Sequence, residues 1–101
     1  MKIKTVDVIA KEWFDKANGN SYFSAVITVN FGMKTEKRID LPFQYGYGNH
    51  YEHMAFNELK KQKIIRPVDD ERESFWRYYR DHEIIYRASI NRNCLKRELN
   101  Q

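Results

Sequence analysis

The chain is short of the residues that staple, break or hide a fold. Cys94 is the only cysteine among 101 residues, which excludes an internal disulfide and fits a reducing compartment. No apolar run approaches the roughly 18 residues that a membrane span needs, and the mean hydropathy of −0.82 is that of a water-soluble chain. Met1-Lys2-Ile3-Lys4 opens directly into strand-like alternation. Without an apolar stretch and cleavage site there, the expectation is an unprocessed cytoplasmic protein. With only two prolines and four glycines, hydrophobic period must carry most of the structural reading. No P-loop, nucleophile elbow or Ser/His/Asp pattern occurs, so the expectation is a non-enzyme with no cofactor.

What is present is apolar and aromatic: 42% hydrophobic residues and 15% aromatic ones, seven of them Tyr and six Phe. That content suits one domain over residues 1–101 with one core. The formal charge is +4, and residues 60–101 supply the excess, with eleven Lys or Arg against seven Asp or Glu. A modest basic surplus suits a polyanionic partner but does not require one.

The segment Val6 to Phe31 reads as a hairpin about Asn18-Gly19, the pair that a two-residue type I′ turn favours. That turn sets Phe14 opposite Phe23, Ala10 opposite Ile27 and Val6 opposite Phe31. The second strand, taken alone, puts Phe23, Ala25, Ile27, Val29 and Phe31 on one inward face. Ile9, Lys11 and Trp13, beside Tyr22 and Val26, then form a partly apolar strip on the other face, to be covered by the C-terminal segment or by a partner. Gly32-Met33-Lys34 is the next turn. Ile39, Leu41 and Phe43 alternate in a third strand that ends near Pro42 or lies at an edge there.

Tyr45-Gly46-Tyr47-Gly48 forms a shaped loop, and Asn49 with Glu52 has the spacing of a capping box. The helix that follows, His50 to about Lys63, turns Tyr51, Met54, Ala55 and Leu59 to one face, and Pro67 forbids its continuation. Asp70 with Glu73 marks a second start. The second helix runs to His82 with Phe75, Trp76 and Tyr79 inward and Arg72, Arg77 and Arg80 outward. Ile84, Tyr86, Ala88 and Ile90 alternate as a fourth strand, and Leu95 and Leu99 suit a short docked tail helix or a loose end. The fold class is α+β: a three-stranded antiparallel meander, two helices packed on one face and a C-terminal fourth strand.

Chemistry-bearing groups are sparse. His50 and His53 have helical spacing, but with His82 and Cys94 they lack the paired ligands of a structural zinc site, so no metal is expected. Cys94 has no sequence-local catalytic partner, and Asp69, Asp70 and Glu71 suit a helix start. Two surfaces stand out instead. In the loop before the first helix, Tyr45 and Tyr47 either pack over the sheet edge while the glycines make the turn, or stack on bases or fill a partner's pocket. The set Arg77, Arg80, Arg87 and Arg92, with Arg72, Lys96 and Arg97, would make a basic ridge beside Tyr78 and Tyr86, unless Asp81, Glu83 and Glu98 neutralise it.

The segments Trp13-Phe14-Asp15-Lys16, Asn18-Gly19-Asn20-Ser21-Tyr22-Phe23-Ser24-Ala25, Leu41-Pro42-Phe43-Gln44-Tyr45-Gly46-Tyr47-Gly48 and Asn93-Cys94-Leu95-Lys96-Arg97-Glu98 resemble small accessory proteins of bacteriophages and prophages. The resemblance implies a phage protein in the bacterial cytoplasm and brings no catalytic residues with it. Two functions are therefore expected as rivals. One is binding of nucleic acid or a nucleoprotein complex through Tyr45, Tyr47, Arg77, Arg80, Arg87 and Arg92. The other is protein–protein inhibition of a bacterial defence or host enzyme, of the anti-CRISPR or anti-restriction kind, with Trp13 and Tyr22 as further anchors. An edge strand or the Trp13 strip also offers a route to a homodimer.

Overall fold

The computed structural model describes residues 2–65 and 74–99. Strands β1 (Thr5–Asp15), β2 (Asn20–Val29) and β3 (Lys37–Tyr45) are followed by helices α1 (His50–Lys61) and α2 (Phe75–Asp81), then β4 (Ile85–Asn91) and a 3₁₀ turn at Lys96–Glu98. The strands form one sheet in the order β3-β2-β1-β4. β1 and β3 run antiparallel to β2, whereas β4 lies parallel to β1. The α+β class, the meander and the C-terminal fourth strand are as the sequence predicts. The predicted start at Asp70 and Glu73, with Arg72, Pro67 and Asp69 to Glu71, lies outside the described residues. Among the described residues no helix is long and apolar enough to cross a membrane.

One sheet face carries the core. Val6, Val8 and Ala10 of β1, Phe23, Ala25, Ile27 and Val29 of β2, and Ile39 and Leu41 of β3 are buried there against Tyr51, Ala55, Phe56 and Leu59 of α1 and Phe75, Tyr78 and Tyr79 of α2. Removing a large side chain from such a layer costs roughly 3–5 kcal/mol for Phe and 2–5 kcal/mol for Leu or Ile. Phe56 belongs to this layer although the helical stripe read from sequence omitted it.

Four expectations are corrected by local chemistry. The first is the hairpin register: Phe23 faces Glu12, Ile27 faces Val8 and Val29 faces Val6. The turn is the four-residue loop 16–19, in which only Gly19 takes positive φ, at 69°. The Asp15 carboxylate accepts from the backbone N–H of Ala17 (3.1 Å) and Asn18 (3.4 Å) and from Asn18 Nδ2 (2.8 Å), while Gly19 N–H donates to Asp15 O at 2.7 Å. An aspartate that organises its own turn competes with the type I′ alternative. The pairing moves by two positions, and because side chains alternate with period two every β2 residue keeps its face.

The second correction is Phe31, which alternation would bury but which is 67% exposed. Asn30 adopts φ 55° and is fully buried, so the strand ends at Val29, two residues early, and Phe31 turns outward. The third concerns β3. Phe23 pairs with Gln44 but Ala25 pairs with Leu41, so β3 carries one extra residue around Pro42 and Phe43. Proline on this edge strand lacks the N–H for a regular ladder, and the resulting bulge carries Phe43 to the face opposite Leu41.

The fourth correction concerns the helices. Asn49 makes no side-chain cap, and Glu52 instead accepts from Tyr86 Oη at 2.7 Å, tying α1 to β4. Trp76, expected inward, is 53% exposed, whereas Tyr78, expected beside the basic ridge, is buried.

Candidate partner-binding surface

The sheet face away from the helices presents Ile9, Lys11 and Trp13 from β1, Tyr22 and Val26 from β2, and Arg38, Asp40, Phe43 and Tyr45 from β3. The Pro42 bulge completes an aromatic row across its three strands. Trp13 stacks on Tyr22, with ring centroids 5.6 Å apart and planes at 26°. Tyr22 stacks on Phe43 at 5.0 Å and 12°, and Tyr45 meets Tyr22 edge-on at 5.9 Å. Trp13, Tyr22 and Phe43 are half-buried and Tyr45 is exposed. Simple alternation places Phe43 with Ile39 and Leu41 rather than in this row, and Pro42 within a strand-like run is the signal for the change.

Rings stacked on one another direct their edges outward, whereas a platform for bases needs free ring faces. Lys96 Nζ also lies 5.4 Å from the Trp13 ring centroid. The tail thus reaches this end of the face, as one sequence reading expects. Cys94 N–H donates to Glu12 O at 3.1 Å, and Lys11 Nζ donates to Glu98 O at 3.4 Å. A shallow groove of about 450 Å³ remains between β1 and the tail, lined by Trp13, Phe14, Lys16, Arg92 and Leu95 among others.

The face is electrically balanced. Asp7 and Asp40 pair with Arg87 and Arg38 there. Asp15, whose carboxyl is held below its ordinary pKa chiefly by the Asn18 side-chain hydrogen bond, stands at the end of β1.

Tyr45 and Tyr47, the latter 69% exposed, flank a cavity of about 320 Å³ that Gly46, Asn49, His50 and His53 complete. The two glycines of the loop do different work. A Cβ on Gly46 would lie 2.6 Å from His50 Cδ2 and 2.7 Å from Phe23 Cε1, while Gly48 takes φ 63°. Thus Gly46 permits close packing and Gly48 permits the turn. His50 and His53 lie edge-on to Phe23 and Phe75. His82 stacks on Tyr78 at 4.0 Å, and buried Cys94 directs Sγ to Asn91 O at 3.5 Å. Among the described residues, no three His, Cys, Asp or Glu side chains converge as a metal site.

The predicted arginines do not share one surface. Arg77 and Arg80 lie on α2, each 5.6 Å from the exposed Trp76 ring, and Arg80 also pairs with Asp81 at 3.2 Å. Arg87 is on the opposite side of the molecule, on the open sheet face, gripping Asp7 at 2.7 and 3.1 Å. Arg92 turns to the buried Glu12 carboxylate at 2.8 Å and reaches Gly48 O at 3.4 Å, so it braces the tyrosine loop against β1. Tyr86 is half-buried at the margin of the core, stacked on Tyr79 at 4.7 Å. Burial, then the Glu52 hydrogen bond, pushes the Tyr86 phenol far above its ordinary pKa, and burial raises Tyr79 likewise.

The structure therefore gathers Trp13, Tyr22 and Tyr45 at one end of the open face, with Tyr47 beyond, and separates Arg77 and Arg80 from Arg87 and Arg92. Compared with family models, curated proteins and solved structures, the chain matches none.

Proposed function

We propose that this chain is a non-enzymatic binding protein whose partner is another protein, docked on the aromatic end of the open sheet face. The observation that carries the reading is the row Trp13–Tyr22–Phe43–Tyr45. A bulge at Pro42 brings its third ring to a face that regular pairing would have denied it. Aromatic side chains held in place by their neighbours lose little entropy on binding and are the typical anchors of protein interfaces. Charge balance on this face supports a protein partner over a polyanion, which would favour unpaired cations. Of the two rival functions, this is the inhibitor type of phage accessory protein.

The nucleic-acid reading keeps one specific observation, the exposed Trp76 flanked by Arg77 and Arg80 on α2. The experiment is a pull-down from bacterial lysate with the wild-type chain and with Tyr22→Ala, Phe43→Ala and Trp76→Ala. Oligonucleotide anisotropy is run in parallel at low and moderate salt. The proposal expects a captured protein lost with Tyr22→Ala or Phe43→Ala and kept with Trp76→Ala. Salt-sensitive oligonucleotide binding lost with Trp76→Ala, together with protein capture indifferent to the row, would replace it by the nucleic-acid function.

A further inference from the structure

The two edges of the sheet are built differently. β3 is guarded in the ways that prevent edge-to-edge pairing: Lys37, Arg38 and Asp40 are exposed along it, and Pro42 interrupts it at a bulge. β4, with the sequence Ile85-Tyr86-Arg87-Ala88-Ser89-Ile90-Asn91, has no proline and no bulge. Its one charge, Arg87, is folded back onto Asp7 of β1.

Backbone direction adds to the contrast. Ile85 N–H donates to Lys4 O at 2.9 Å, on the β1 side. Because successive peptide groups alternate along a strand, Arg87 and Ser89 also face β1, and the N–H and C=O of Tyr86, Ala88 and Ile90 point to the free edge. The same three residues put their side chains on the helix-covered face, in register with Val6, Val8 and Ala10. Those β1 partners are buried, yet Tyr86 and Ile90 are only half-buried and Ala88 is exposed. Among the described residues the core layer thus stops short at β4.

From this we infer that β4 pairs antiparallel with β4 of a second copy, about a two-fold axis at Ala88, to make one continuous eight-stranded sheet. The strand is self-complementary in that register. Ala88 meets Ala88 of the second copy with nothing to clash, and each Tyr86 lies opposite an Ile90, an aromatic–aliphatic pair that stabilises adjacent strands. On the other face each Arg87 lies opposite a Ser89, so like charges are not directly opposed. All three residues with outward backbone groups become hydrogen-bonded pairs, and a two-fold interface closes after two copies. The surface is separate from the aromatic row on β1 to β3, so the dimer and the docking proposal stand or fall independently.

The test is light-scattering mass after size exclusion over a concentration series to about the millimolar range, where weak homodimers form. The wild-type chain should reach twice the 12.3 kDa chain mass. Ala88→Pro removes only an N–H that faces away from β1, so the variant should keep its near-UV spectrum yet stay at the single-chain mass. Ala88→Lys sets two like charges face to face across the axis and should give the same result, which decides the matter if the proline variant does not fold. A wild-type chain at single-chain mass at every concentration overturns the inference. So does an assembly larger than two copies, or a doubled mass that survives in a folded Ala88 variant.

Discussion

Replacing Asn30 by alanine tests a buried polar residue that ties three segments of the fold together. Asn30 is fully buried at the end of β2 with φ 55°. Its Oδ1 accepts from Lys4 N–H (2.7 Å) and Thr5 N–H (3.3 Å), and its Nδ2 donates to Lys2 O and Thr35 Oγ1, both at 2.9 Å. One amide thus fastens the start of β1, the end of β2 and the β2–β3 loop. Alanine in the left-handed region costs about 1 kcal/mol, and leaving the Lys4 and Thr5 N–H groups without their acceptor costs about 1 kcal/mol each. Adding the lost contact with Thr35, Asn30→Ala should remove roughly 3–4 kcal/mol of the 5–15 kcal/mol typical of a whole domain. At about 4–8 °C per kcal/mol for a chain of this size, Tm should fall by roughly 15–25 °C. Asn30→Gly loses the same hydrogen bonds without the backbone penalty, so it should be about 1 kcal/mol more stable than Asn30→Ala. Urea melts followed by far-UV circular dichroism measure both. A loss below about 1 kcal/mol, or alanine equal to glycine, would refute the account of Asn30 as a left-handed, buried clamp.

Phe31→Ser should change stability by no more than about 0.5 kcal/mol, whereas Val29→Ser, two residues earlier, should cost about 2–3 kcal/mol, because only the second side chain is buried. Gly46→Ala should destabilise by about 1–3 kcal/mol, since the new Cβ meets Phe23 and His50 rings inside van der Waals distance. Arg92→Ala should cost about 2 kcal/mol by leaving the buried Glu12 carboxylate unpaired, while Arg77→Ala, on the exposed face of α2, should cost under about 0.5 kcal/mol; chemical denaturation separates them. Alkaline melts test the tyrosine cluster. Tyr51, Tyr79 and Tyr86 have folded-state pKa values raised by burial. The unfolded chain therefore releases phenol protons first, and stability that is complete below about pH 10 should fall above it by up to about 1.4 kcal/mol per pH unit per tyrosine. Tyr86→Phe should make that fall shallower, and an unchanged slope would contradict the raised value.

Period-two and period-3.6 patterns made the element types and the inward face legible. Phe23 to Val29 and Leu59 needed only alternation or helical spacing to be placed in the core. The register was not legible, because Asn18-Gly19 has two competing uses and the choice was made by Asp15, whose carboxylate captures the turn. The candidate surface was half legible. Trp13 and Tyr22 follow from strand parity, but Phe43 reaches their face only because the ladder slips at Pro42. Alternation assumes an unbroken ladder, so it carries Phe43 and Phe31 inward past the residues that end it. Sequence proximity does not make the arginines one group, because a helix and an edge strand that are neighbours in sequence present their exposed sides to opposite faces of the molecule.

These departures have a common physical form. At Asp15, Asn30 and Pro42, the backbone's hydrogen-bonding options decide what alternation leaves open: a side-chain acceptor inside a turn, an amide that fits a left-handed bend, and a missing N–H. Asn30 and Pro42 each expose an aromatic residue, Phe31 and Phe43, that hydrophobicity alone would bury. Turning an apolar ring to water forgoes roughly 1.5–3 kcal/mol of burial, and Asn30 adds a positive-φ backbone to that sacrifice. Phe43 recovers part of it by stacking on Tyr22, whereas Phe31 remains exposed at the opposite end of β2. The row on the open face is thus partly self-supporting in the free protein, and a partner that covers its edges gains area from rings already ordered. That preorganisation is why loss of Phe43 should weaken docking by more than its own exposed area would account for, as its removal also frees Tyr22 and Trp13 to move.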